Sequence, residues 1–166
     1  MKKAVLLCAA LALPLSAQAR NNTFLTFLTG YQEVPSVSTA AEGVFQARAV
    51  NEHTTFEYVL RYEGLQGTVQ QAHIHFAQRA VNGPIVVWLC GTSTNPGPAG
   101  TQTCPQSGEV RGQIGFAQVL AAAPTQQLGA GEIQEVIRAM RAGAAYVNVH
   151  TSASPGGEIR GQILPW

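Results

Sequence analysis

Ala72-His73-Ile74-His75-Phe76 alternates with the two-residue period of a β-strand, placing Ala72, Ile74 and Phe76 on one face and both imidazoles on the other. Similar runs lie on either side of it. Short stretches rich in Val, Ile, Thr and aromatic residues, cut by Gly, Pro and Asn, predict strands over residues 23–28, 43–50, 54–62, 69–76, 85–89, 110–115, 145–151 and 158–164. Many short strands at this spacing predict an all-β chain folded as an antiparallel sandwich or barrel. One segment departs from the pattern. Between 132 and 141, Ile133, Val136, Ile137 and Met140 recur at i, i+3, i+4 and i+7, the apolar stripe of a helix. Glu132 and Glu135 at its start and Arg138 and Arg141 at its end suit the helix dipole, and Gly143 can close it. The stripe predicts one short crossover helix covering a core face of the sheet.

With 166 residues and 11% of them charged, the chain suits a single folded domain and carries too little charge for a disordered tail or a nucleic-acid arm. Residues 1–19 read as an export signal: Lys2 and Lys3, an apolar run from Val5 to Leu15, then Ala17-Gln18-Ala19 as a small-residue cleavage site. One domain over 20–166 remains, in the periplasm or outside the cell. The apolar run is too short to cross a bilayer and no second one follows, so no membrane span is expected. Cleavage removes both lysines and leaves eight arginines against nine glutamates, a formal charge of −1. That balance gives nucleic acid and anionic membranes no electrostatic purchase. The chain contains no Asp, which excludes a Ser-His-Asp triad and an EF-hand loop as ordinarily written, and it has neither a Gly-rich phosphate loop nor a nucleophile elbow. Cys8 leaves with the signal. Cys90 and Cys104 are then an even pair in an exported protein, and a disulfide closing the Gly-, Pro- and Thr-rich loop 91–103 is expected.

Gly108-Glu109-Val110-Arg111-Gly112-Gln113-Ile114 is echoed 49 positions later by Gly157-Glu158-Ile159-Arg160-Gly161-Gln162-Ile163. Alternation puts Glu, Arg and Gln of each copy on one face, and the two copies predict equivalent strands related by pseudo-symmetry or duplication. In each, the Arg two residues on is expected to pair with the Glu and hold its pKa down, which argues against a catalytic carboxylate pair of the glycoside-hydrolase kind.

Four histidines occur. His73 and His75 share a strand face. His150, in Tyr146-Val147-Asn148-Val149-His150-Thr151, shares one with Asn148 while Val147 and Val149 take the other. If the two strands are neighbours, three imidazoles converge. Three neutral nitrogen donors without thiolate or carboxylate suit copper or zinc, with a fourth position open to water or substrate. Surface or hydrogen-bonded histidines without a metal are the competing reading. His53, in Asn51-Glu52-His53, reads as a solvated turn residue.

Several of these segments together resemble the CHRD domain. They are Leu28-Thr29-Gly30-Tyr31-Gln32-Glu33-Val34-Pro35, Gly43, Ala72-His73-Ile74-His75, Gly83-Pro84-Ile85-Val86-Val87, Ala145-Tyr146-Val147-Asn148-Val149-His150-Thr151 and Pro155-Gly156-Gly157-Glu158-Ile159-Arg160-Gly161-Gln162. The resemblance spans almost the whole mature chain in order. It implies a sandwich-like β domain of exported proteins, a family whose biochemical role is itself poorly defined. A weaker resemblance is to the copper/zinc superoxide dismutases, where a His-x-His strand is joined by a later His and by an Arg near the copper. It implies an immunoglobulin-like or dismutase-like sandwich, His73, His75 and His150 as copper ligands, and Arg160 as the arginine that steers substrate. Asn148 and Arg160 are expected to support the ligands. The sequence departs from those enzymes in having no bridging His, no Asp for a zinc site and a differently placed cysteine pair.

Three functions follow as expectations. The first is a secreted, non-enzymatic module that binds a metal ion, copper or zinc, or an unknown protein partner through its His face. The second is a dismutase-like copper redox enzyme. The third is a structural or adhesive module whose contact surface is Glu33-Val34-Pro35 and loop 91–103.

Overall fold

The computed structural model describes residues 22–166, and the export signal expected over 1–19 lies outside the described residues. Strands form at each expected position: β1 (Thr23–Thr29), β2 (Glu42–Val50), β3 (Thr55–Glu63), β4 (Val69–Phe76), β5 (Ile85–Cys90), β6 (Gly108–Ile114), β7 (Ala145–Thr151) and β8 (Ile159–Gln162). The last expected strand breaks at Ile163, and Leu164–Pro165 (β9) pairs with β1. Every pairing between strands is antiparallel, in the order β5-β4-β7-β8-β1-β2-β3-β6. The terminal strands β5 and β6 approach each other, so the sheet curls into a nearly closed barrel or sandwich around Phe24, Phe45, Phe56, Leu60, Ile74 and Val147. The fold class is the expected one.

The seam between β5 and β6 is closed by side chains and a loop. The Tyr58 hydroxyl donates to the Leu89 carbonyl (2.7 Å) and receives a bond from the Gln102 amide (2.7 Å). Cys90 and Cys104 form the expected disulfide and anchor that loop at the end of β5. Closing a loop of this length restrains the unfolded chain by about 3 kcal/mol in the chain-entropy account. The double substitution Cys90→Ala/Cys104→Ala is therefore expected to lower unfolding free energy by about that amount, read from urea midpoints.

Helix α1 (Ile133–Arg141) buries Ile133, Val136, Ile137 and Met140 against β7 and β9. Gly143, at φ +66°, ends it, with Gly143 N–H donating to the Met140 carbonyl and Ala144 N–H to that of Ala139. This is the Schellman arrangement, whose left-handed residue favours glycine.

The two echoed strands hold corresponding places, each last in a run of four neighbours: β8 after β5-β4-β7, and β6 after β1-β2-β3. Their surroundings differ, and the expected Glu–Arg pairing forms only once. On β6, Glu109 pairs with Arg111 and Arg61 at the surface. Glu158 does not pair with Arg160. Fully buried, it receives the Thr39 hydroxyl (2.9 Å), the Gln66 N–H (2.7 Å) and the Thr151 hydroxyl (2.7 Å).

The cause of that difference is the cover over one half of the sheet. Strands β1 and β2 alternate buried and less buried residues, so one face looks inward and the other outward. Strands β7 and β8 are buried at every residue. The outer face of β4-β7-β8 is roofed by the segments 31–39, 78–84 and 152–157, whose residues bond down onto it. Polar side chains on this face are thereby enclosed.

Candidate metal centre

Register decides which side chains meet. Strands β4 and β7 pair with His75 opposite Tyr146, His73 opposite Asn148 and Gln71 opposite His150. Strands β7 and β8 pair with Tyr146 opposite Gln162 and Asn148 opposite Arg160. One outward face therefore carries the row His73, Asn148, Arg160 beside the row His75, Tyr146, Gln162, with His150 diagonal to His73. The three expected histidines come together: one nitrogen from each lies within 4.8 Å of the other two, and His73 Nδ1 stands 3.2 Å from His150 Nε2. The turn residue His53 stays apart, against Asn22.

The rings are buried, His73 completely and the other two to 7% exposure, which removes the surface-histidine reading. Burial lowers all three pKa values. His73 is pushed down to about 2, chiefly by desolvation and then by its two neighbouring rings, and His75 to about 4, again chiefly by desolvation. His150 moves the same way, with the Pro155 carbonyl opposing. Neutral imidazole is the form that binds a metal.

Backbone carbonyls fix the tautomers. His75 Nδ1–H donates to the Gly83 carbonyl (2.8 Å) and His150 Nδ1–H to the Pro155 carbonyl (2.9 Å), because a carbonyl can only accept. Each Nε2 then presents a lone pair, and a carbonyl behind a ligating ring is the usual way its orientation is set. Nε2 of His75 and of His73 has no hydrogen-bond partner. Trp88 stands edge-on to His73 (4.2 Å between centroids), and Tyr146 stacks parallel on His75 (4.6 Å).

Arg160 is almost fully buried and lies with Cζ 3.3 Å from the Tyr146 ring centroid, so it reaches His75 through the tyrosine. Its guanidinium donates to Asn82 Oδ1 (3.1 Å) and the Val81 carbonyl (2.8 Å). Asn148 Oδ1 stands 3.0 Å from His150 Nε2.

One site residue was placed elsewhere by sequence reasoning. Glu33 was expected on an adhesive surface, yet it is 5% exposed and turned inward. Desolvation raises its pKa to about 7, against the pull of Arg160, the Asn148 amide and the Val34 backbone. No periodicity marks it, since it lies in a loop. With Arg79, Arg160 and Gln162 it lines a cleft of about 380 Å³. The larger cavity, about 630 Å³, lies across β1–β3 and β6 between Phe27, Arg61 and Glu109 and includes none of the cluster residues.

Gly157 completes the packing. At φ +124°, its position leaves no room for a side chain: a Cβ would fall 2.2 Å from Glu33 Oε1 and 2.8 Å from Asn148 Nδ2. Gly157→Ala is expected to cost about 1–3 kcal/mol from backbone strain and to displace Asn148, read as a lower urea midpoint together with shifted imidazole resonances.

Among the described residues no helix is long and apolar enough to cross a membrane. No curated protein and no solved structure matches the chain significantly. The family model of the CHRD domain matches residues 24–163, the span that contains every strand and loop of the histidine cluster, and the chain belongs to the CHRD domain family.

Proposed function

We propose that this CHRD domain is an exported, non-enzymatic module that holds one copper or zinc ion on His73, His75 and His150. One observation carries the reading: three buried rings, kept neutral by burial, converge, and Nε2 of His73 and of His75 has no hydrogen-bond partner. Leaving such groups unmatched in a dry interior costs on the order of 1–3 kcal/mol each, which a bound ion removes. Copper and zinc accept imidazole nitrogen at about 2.0–2.1 Å, and the set closes onto one ion by modest ring tilts. Export accords with the leading segment and with a disulfide, which persists in oxidising compartments.

The test is a titration of the purified protein carrying Trp166→Phe, so that Trp88 is the sole tryptophan. Copper(II) is expected to quench Trp88 to saturation at one equivalent, and zinc to compete with it. His75→Ala is expected to weaken binding by roughly 100-fold or more, since it removes a ligand rather than a supporting contact worth 10–100-fold. Binding no tighter than that of a free imidazole peptide would overturn the proposal.

A further inference from the structure

Resting on that reading, we infer that Asn148 supplies the fourth donor to the ion through Oδ1, and that Glu33 is the positioning residue that holds its amide in place. Asn148 Oδ1 stands 3.0 Å from His150 Nε2. That is the separation of neighbouring donors on one ion whose bonds are about 2.0–2.1 Å long. The same amide also reaches His75. Asn148 sits directly opposite His73 across the β4–β7 ladder, so it belongs to the patch by register and not by a chance rotamer.

Polarity makes the stronger argument. His150 gives its Nδ1 proton to the Pro155 carbonyl, so Nε2 is a lone pair, and the atom 3.0 Å from it is a carbonyl oxygen, which is another. A second proton on the ring would reconcile them, but it would put a charge on a side chain that is 7% exposed and has no carboxylate among its hydrogen-bond partners. Turning the amide over would also reconcile them. That would carry its NH2 away from the Glu33 carboxyl, which faces Asn148 Nδ2 across the space that Gly157, having no Cβ, leaves open. Two acceptors held face to face in a buried place are the arrangement a cation completes.

The result is a set of three nitrogens and one oxygen supplied entirely by the protein. Such a closed set holds an ion, whereas sites that turn over substrate keep a position for water. The oxygen also sets a preference: it is a hard donor, which favours copper(II) and zinc over copper(I).

The experiment uses the full mature protein loaded with one equivalent of copper(II). In D2O, electron–nuclear double resonance is expected to show no directly bound exchangeable water in the wild type. In Asn148→Ala a water appears, the g and A values shift, and zinc affinity falls by roughly 10–100-fold. Asn148→Met, with a soft thioether, moves the preference towards copper(I). Glu33→Ala is expected to give a spectrum spread towards that of Asn148→Ala, and Glu33→Gln, whose amide oxygen still accepts from Asn148, to restore the wild-type one. A bound water in the wild-type spectrum, or Asn148→Ala binding with unchanged affinity and spectrum, overturns the inference while leaving the three-histidine site standing. A wild type that binds no ion overturns both. The wild-type measurement stands whether or not a variant folds.

Discussion

Replacing Glu158 by alanine is expected to lower the unfolding free energy by about 2–4 kcal/mol, because the loss takes the charged acceptor from one buried donor, the Thr151 hydroxyl, and from two part-buried ones, the Thr39 hydroxyl and the Gln66 N–H, which regain part of the loss from water. For a domain of this size that is a fall in Tm of roughly 10 °C. The side chain is fully buried and joins three segments far apart in sequence: Thr39 before β2, Gln66 before β4, and Thr151 at the end of β7. Glu158→Gln keeps Oε1 for Thr39 and Gln66, and its new amide can donate to Thr151 Oγ1, so it is expected to cost far less. Glu109→Ala, the same place in the echoed motif, is expected to shift the midpoint little, because Glu109 pairs at the surface. Urea unfolding of the three variants checks this; equal losses at Glu158 and Glu109 would show that the roof over β8 contributes nothing.

Acidification of the metal-free protein is expected to produce the second large effect. The unfolded chain takes a proton on His73 and on His75 as pH falls through 6.5, while the folded rings resist until about 2 and about 4. Below 6.5 the unfolded state therefore binds more protons, and stability falls with pH by about 1.4 kcal/mol per pH unit for each ring. Glu33 acts in the opposite sense. Its folded carboxyl takes a proton near 7 and its unfolded one only near 4.5, so between those values it gains stability as pH falls and offsets one ring. The net loss from these three groups between pH 6.5 and 4.5 is then about 1.4 kcal/mol per unit, close to 3 kcal/mol in all, and His150 adds to it in the same direction. Glu33→Gln removes the offset and is expected to double the slope to about 2.7 kcal/mol per unit. Urea midpoints measured with chelator across this range check it, and a flat profile would mean that the rings are already charged in the fold.

These two results bear on one design. The roof that Glu158 ties down makes the histidines dry, and dryness keeps them neutral. A variant that loosens the roof is thus expected to lose the acid sensitivity along with stability.

The repeating strands were legible because alternation is local: a period of two, read over six residues, needs no knowledge of the rest of the chain. The helix stripe, its closing Gly143 and the cysteine pair were legible for the same reason, and each stands where the pattern put it. That His73 and His75 share a face, and that His150 shares one with Asn148, also follows from pleating alone. Their meeting does not. It depends on β4 and β7 being neighbours although 68 residues separate Phe76 from Ala145 in the chain, a pairing set by how the whole core closes.

Burial was the other thing the strand pattern could not carry. Heptads at 108 and 157 that differ only by Val110 against Ile159 read alike, yet one lies in the open and the other under three loops, because loop packing is a property of distant segments. The same cover turns Glu33 inward and stacks Arg160 on Tyr146. Local chemistry thus wrote the strands, the crosslink and the facing of each imidazole into the chain. The enclosure that changes those imidazoles from solvated side chains into a dry set of donors came from long-range packing, since desolvation depends on everything that surrounds a group and not on its neighbours in sequence.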